Sequence, residues 1–277
     1  MALVVMILFW LSLVLYAAAL ASAVFHAGDD GAGGAARALL GIGATVHAGM
    51  FVCMMAGSKY PVDYELMNAT CRSFFTAVIL FIIMGGFKSK APALAGLAVI
   101  LWHPLIRMYT TQTLGLQDQM SHAFGIYSIV FYQFHSLAMG FLGNTFALSA
   151  GWLLTGEKGA PGALRPGGRL MTCAFWGFIA FTASQLFGSL WALNAGWGDV
   201  WVWASSHIFS AVVWIFYAGL LHVPAAPRLP RNTAAWMGII GFSMAMFWAI
   251  YHEYAVLPAY FRLYSALPQL LSGGLWA

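Results

Sequence analysis

The sequence predicts an all-α fold, a polytopic transmembrane bundle of about eight helices that forms one integral membrane domain over residues 1–277. Composition is the first reason. Hydrophobic residues make up 62% of the chain and charged residues only 7%, against about a quarter charged in a soluble domain, so an ordinary soluble fold is excluded. Length is the second: apolar runs recur from end to end, each sufficient for the ~20 residues that cross a bilayer as a helix. Pattern is the third. The runs show no strand-like alternation, and lipid admits only helices or closed barrels because every backbone N–H and C=O must be satisfied within the protein.

In chain order, spans are predicted at 3–26, 36–57, 70–87, 91–112, 123–154, 169–193, 206–223 and 233–253. The first resembles a signal peptide in its apolarity, but it lacks a basic leading segment and exceeds the usual apolar core, so it is read as a retained helix. Asp29 to Gly34 is a glycine-rich acidic turn. Span two carries His47 near its middle, and Gly57 to Glu65 forms the turn after it. Span four places His103 directly before Pro104, a point where a helix kinks and a carbonyl is released; Arg107 follows one turn later. The polar stretch Gln112 to Gln119 leads to His122 and then to span five, which holds His135 near mid-depth. Gly156 to Gly168, rich in Gly and Pro, is a connection and not a domain boundary. Span eight ends at His252 and Glu253, and residues 254–277, with two prolines and scattered aromatics, are expected to lie along the membrane surface. No solenoid-type repeat is visible.

Basic residues set the expected orientation. Arg37, Lys88, Lys90, Lys158, Arg165, Arg169, Arg228 and Arg231 collect on one side, while Lys59, Arg72, Arg107 and Arg262 fall on the other. The richer side is expected to be cytoplasmic, which puts the N-terminus outside, on the periplasmic face of a bacterial inner membrane. The net charge of +4 then reflects topology, and no loop has the character of a nucleic-acid surface. Cys53, Cys71 and Cys173 form neither a CxxC pair nor a CxxCH haem-attachment site; they are read as small buried hydrophobes.

The least ordinary stretch is Trp197 to His222, WGDVWVWASSHIFSAVVWIFYAGLLH. Residues 194–222 are read as a periplasmic platform and the helix that follows it. Indoles settle at the membrane–water boundary, so Trp197, Trp201 and Trp203 would make an aromatic floor for a flat, partly polar ligand. The spacing W-G-x-x-W-x-W, then W-x-x-Y-x-x-x-L-H, is supplied by Trp197, Gly198, Trp201, Trp203, Trp214, Tyr217, Leu221 and His222. It resembles the tryptophan-rich signature of the haem-handling membrane proteins of cytochrome c assembly. The resemblance implies a haem-facing platform, with histidines before and after it holding the haem. Where the family has an Asp-Pro-x-Glu-like run after the third Trp, this chain has Ala204, Ser205, Ser206 and His207. Both acidic groups are gone, so the resemblance supports the fold and the platform more strongly than the family's usual reaction. The family's Gly-x-x-Pro turn and aromatic–Glu pair are matched only in part, with Glu65 about two places early.

Every Asp and Glu lies in a loop or at a helix end, which leaves no carboxylate to relay protons through the bilayer. Histidines are the intramembrane ionisable groups. Such a group in hydrocarbon costs on the order of a few kcal/mol unless it meets a partner or ligand, and neutral imidazole is an axial ligand to haem iron. His47, His103 and His135 are expected near mid-membrane, His122, His207 and His252 near the outer face, and His26 and His222 toward the inner face. The resemblance puts His122 and His252 in the outer ligand positions, with Tyr127 and Tyr260 as alternative registers, and matches His222 to the family's intramembrane histidine. The expected cofactor is b-type haem, its iron held among His222, His47, His122, His252 and His135. His103 and the three platform tryptophans complete the binding set, and Arg107, with Arg72 and Arg262, is available to the propionates.

Three functions are compatible with these residues, and no catalytic residue can be named for any of them. The first is a haem-handling assembly factor that offers haem at the platform to a periplasmic cytochrome or apocytochrome. The second is a b-type electron-transfer subunit that takes electrons from quinol. A haem or small-molecule exporter is the third, disfavoured by the missing nucleotide site. The chain is small and has no large loops, so other membrane subunits are expected as partners.

Overall fold

The computed structural model describes residues 2–25, 32–57, 64–85, 90–114, 126–155, 168–194, 205–226, 228–230 and 232–251. Among the described residues there are eight α-helices, one 3-10 turn and no strand: α1 (Ala2–Phe25), α2 (Ala32–Gly57), α3 (Tyr64–Met84), α4 (Ala91–Leu114), α5 (Ile126–Thr155), α6 (Gly168–Asn194), α7 (Ser205–His222), the 3-10 turn (Val223–Ala225) and α8 (Thr233–Tyr251). Each predicted span corresponds to one helix. The chain is an all-α, multi-pass membrane protein. Helices α1, α2, α5, α6 and α7 are long and apolar enough to cross a bilayer, while α3, α4 and α8 contain shorter apolar stretches, Ala69–Met84, Ala91–Leu105 and Thr233–Phe247.

Consecutive helices pair antiparallel, α1 with α2, α3 with α4, α5 with α6 and α7 with α8, and α5 also packs on α3, α4 and α8. Its sequence explains this central place. Lipid tails are as apolar as leucine, so helices associate in a membrane by close fit and polar contacts more than by hydrophobicity. On α5, buried small or polar residues recur every four positions and so line up in stripes. Ser136, Gly140 and Asn144 form the stripe toward α3, and Gly143, Ala147 and Gly151 form the stripe toward α4. A Cβ placed on Gly140 would lie 2.8 Å from Phe75 Cβ and 3.0 Å from the Thr76 backbone nitrogen, and one on Gly151 would overlap Pro92. Asn144 fastens the first stripe: its Nδ2 donates to Thr76 O at 3.1 Å and to Gly140 O at 2.9 Å.

Two apolar cores result. One joins α1 to α4 through Tyr16, Leu40, Leu80, Leu97 and Ile100; the other joins α5 to α8 through Leu142, Phe181, Tyr217, Leu220 and Phe242, with Val99 of α4 reaching into it.

Pro104 lies inside α4, as the sequence predicts, and cannot donate a backbone N–H to Ile100 O, its i−4 partner. The released carbonyl is taken by Ser73 of α3, whose Oγ donates to Ile100 O at 2.7 Å. A break in the ladder thereby becomes an interhelical bond, the kind of re-satisfaction that lets proline sit within membrane helices. It also fixes the register of α3 against α4 beside His103.

Candidate functional site

Helix pairing gathers several polar side chains into one layer. Packing of α2 on α3 leaves His47 and Phe74 in contact, with ring centroids 5.6 Å apart. Parallel packing of α3 and α5 brings Gln133 Nε2 to 3.7 Å from Cys71 Sγ. Counted from the ends of their helices that lie together, His47, Arg72, His103 and His135 fall at similar depths, near 12–17 Å at about 1.5 Å per residue.

His47 is 1% exposed and Tyr16 is fully buried. Tyr16 Oη and His47 Nδ1 are 3.1 Å apart, bonded across α1 and α2. Phe51, one turn further along α2, stacks on the imidazole at 5.1 Å and 17°, and Phe74 meets its edge. The remaining ring nitrogen, Nε2, is buried with no hydrogen-bond partner among the described residues. An orphaned buried polar atom of this kind costs about 1–3 kcal/mol.

His103 is 4% exposed, and its Nε2 is likewise buried without a partner among the described residues. Its surroundings differ, because Arg72 of α3 lies within electrostatic reach. Arg72 was expected at the outer interface, but it is 5% exposed: α3 begins at Tyr64, six residues before the predicted 70, and this carries the guanidinium inside. Helical geometry turns His103 and His47 toward different interfaces. Leu101 of α4 packs with Phe9, Leu13 and Met50 on the α1 and α2 side, and His103, two residues on, lies on the opposite face.

His135 lies between α5 and α6, stacked on Phe131 at 5.7 Å and tilted against Phe181 at 6.1 Å. Phe131 and Tyr132 both touch Trp191 near the end of α6, at 5.8 and 5.5 Å. This aromatic seam runs from His135 to Trp191, close to the end of α6 at Asn194. His222 closes α7 and is exposed. Its Nδ1 lies 2.7 Å from Ala218 O. A carbonyl only accepts, so Nδ1 carries the proton and Nε2 is left as the bare nitrogen, the arrangement in which imidazole ligates a metal. Of the signature's other residues, Trp214 donates Nε1–H to Thr182 Oγ1 of α6 at 2.9 Å, and Tyr217 is buried against Gly241 of α8.

Trp197, Trp201, Trp203, His122 and His252 lie outside the described residues, as do His26 and the side chains of Arg107 and His207. Cys71 and Cys173 are buried and Cys53 is partly buried, all as free thiols. The structure thus brings His47 together with Tyr16 and His103 together with Arg72, and places His135 and His222 at separate interfaces. No cluster of three or more metal-ligating side chains is present among the described residues. Haem needs only one or two axial imidazoles, and the orphaned Nε2 atoms of His47 and His103, with the bare Nε2 of His222, fit single axial ligands. Tyr16 and Ser73 escaped the sequence reading. The signal for Tyr16 was the single phenol in a helix whose other hydroxyls are Ser12 and Ser22, since a phenol needs a polar partner once buried.

The bundle is that of a polytopic helical membrane protein with imidazoles buried in its interior. Residues 169–254, covering α6 to the end of α8, match the family model described as Cytochrome C assembly protein. Among curated relatives, a cytochrome c biogenesis protein CcsA of Prochlorococcus marinus (strain MIT 9312) is 32% identical over 66 residues, 24% of this chain and 21% of that protein. The CcsA of Welwitschia mirabilis is 27% identical over 88 residues, 32% of this chain and 28% of that protein. The alignments span about a fifth to just over a quarter of the relatives' length. These matches make the carboxy-terminal third of the chain similar to cytochrome c assembly proteins.

Proposed function

We propose that this protein handles haem for cytochrome c assembly, holding it with histidines inside the bundle and presenting it at a tryptophan-lined platform over residues 194–204 on the periplasmic side of a bacterial inner membrane. The observation that carries the reading is the family match over residues 169–254, which coincides with the tryptophan-rich signature and the helix ending at His222. The three imidazoles with an available Nε2 support it from the side of chemistry. His222 is the ligand on the matched segment, His122 and His252 the ligands flanking the platform, and His47, His103 and His135 the interior ones. When bound, b-type haem iron would supply a coordination site for imidazole; the chain's own part is to keep nitrogen lone pairs available and to exclude competing polar groups. Trp197, Trp201 and Trp203 form the floor, and Arg107 pairs with a propionate. The N-terminus lies outside, 254–277 rests on the membrane surface, and the recipient is a periplasmic cytochrome or apocytochrome, with other membrane subunits completing the machinery.

The matched relatives are assembly proteins, so neither quinol oxidation nor export is carried forward as a reading. A pyridine haemochrome assay on detergent-extracted protein, paired with haem staining of c-type cytochromes in a deletion strain, tests the proposal. Haem in the purified protein and loss of stained cytochromes in the deletion strain are expected. A colourless protein that takes up no haem, with c-type cytochromes intact in the deletion strain, would overturn it.

A further inference from the structure

We propose that the end of the bundle where α2 begins and α3 closes carries a binding site for an anionic phospholipid headgroup, with the Arg37 guanidinium as its phosphate ligand. It lies outside the segment that matches assembly proteins and does not depend on the haem reading. Three observations point to it. Arg37 is held in place: its Nε donates to Phe81 O at 3.2 Å, and its Cζ stands 4.8 Å from the centroid of the Phe81 ring. Its fork is unused. A guanidinium has five N–H groups, one goes to Phe81 O, and those on Nη1 and Nη2 meet no hydrogen-bond partner or carboxylate among the described residues. Room for the fork is kept by Gly85, where a Cβ would lie 2.7 Å from Nη1 and 3.1 Å from Cζ.

Depth and surroundings name the ligand. Arg37 is five residues from the first residue of α2, and Phe81 is three from the last residue of α3. These are about 5–8 Å of helix at about 1.5 Å per residue, close to the end of the bundle, where headgroups meet the apolar layer. Phe81 is 36% exposed and Ile82 66% exposed, an apolar surface that acyl chains cover. A fixed cation on a lipid-facing ring therefore suits a molecule that joins a phosphate to such chains. The planar fork accepts two phosphate oxygens, and the contacts to Phe81 have already ordered the side chain, so less entropy is lost on binding. Capping the carbonyl end of α3 accounts for Nε but not for the fork. Lys88 and Lys90 lie in the connection from α3 to α4, and Asp29 and Asp30 in that from α1 to α2, so with Arg37 cations lead three to two. Selectivity thus rests on the fork more than on net charge. Arg228, at the same end of the bundle, is exposed and makes no hydrogen bond among the described residues; it supplies charge without fixed geometry.

The test is a titration of the purified full chain in detergent with phosphatidylglycerol, phosphatidylcholine or inorganic phosphate, with bound lipid read by native mass spectrometry. Wild type is expected to retain phosphatidylglycerol in preference to phosphatidylcholine, less so at high salt. Arg37→Gln removes both charge and fork and is expected to cut phosphatidylglycerol affinity at least about five-fold. Gly85→Ala leaves every charge in place but pushes the guanidinium off its seat, and it is expected to lose affinity as well. Arg228→Gln removes a charge from the same end without touching the fork and should weaken binding less than either. Equal losses in Arg37→Gln and Arg228→Gln would mean that surface charge alone attracts the lipid, and would overturn the site. Wild type with no preference between the two lipids would overturn it too, as would displacement of phosphatidylglycerol by inorganic phosphate, the mark of a soluble-anion site. If Arg37→Gln does not fold, Gly85→Ala decides, and an unchanged lipid preference in that variant counts against the site.

Discussion

His47 and His222 are held in the same manner in opposite halves of the molecule. Each imidazole is anchored through Nδ1, one on the Tyr16 hydroxyl and the other on the Ala218 carbonyl, and Nε2 of His47 is buried without a partner among the described residues. The difference is in what surrounds them. His47 is buried among aromatic rings, whereas His222 is exposed at the end of its helix and sits within the segment that matches assembly proteins. The half with the family signature therefore carries one described imidazole, His222, at an edge and another, His135, between α5 and α6. The half without the signature carries His47 and His103 in its core.

Helix α5 is the seam between them, so breaking it has the largest expected effect. Gly140→Leu drives a side chain into Phe75 and the backbone of Thr76 and forces α5 away from α3. Overpacking against backbone costs about 1–3 kcal/mol or more; this variant is expected to lose folded protein in detergent, as read by size exclusion and thermal melting. Next in size is the bond at the α4 proline. Ser73→Ala orphans the Ile100 carbonyl and should destabilise by about 1–3 kcal/mol. In a Pro104→Ala background the backbone N–H is restored, and the same change should then cost far less. Equal costs in the two backgrounds would mean that the serine bond is not a replacement for the missing one.

The comparison is sharpened by His222→Ala. Among the described residues its side chain bonds only to its own helix turn, so melting should move little, within about 0.5 kcal/mol, while haem content falls. Unchanged occupancy would remove His222 from the site. The smallest effect is expected for Trp214→Phe, which deletes one α6–α7 hydrogen bond worth about 0.6 kcal/mol in a membrane interior. A shift of several kcal/mol would mean that this contact supports the platform and not only the helix pair.

Most of the fold was legible because a helix in lipid announces itself by length and apolarity alone. The helix ends were less so: α3 reaches back to Tyr64 through a polar turn, and that moved Arg72 from the interface to the interior. The proline in α4 was visible, but its partner was not, since Ser73 is adjacent only after α3 and α4 pack. The same holds for Tyr16. His47 could be singled out as an ionisable group at mid-span, whereas the phenol that anchors it is thirty-one residues away in sequence and is joined to it only by tertiary structure. The stripes on α5, Ser136-Gly140-Asn144 and Gly143-Ala147-Gly151, were written in the sequence at four-residue spacing, and reading them would have marked α5 as the central helix.

The central claim is that imidazoles held in this bundle take iron porphyrin, and a pyridine haemochrome assay on protein purified from haem-replete membranes addresses it most directly. The account predicts haem in wild type and a reduced amount in His47→Ala and in His222→Ala alike. A folded, monodisperse wild type that is colourless and stays so when haemin is added would contradict it.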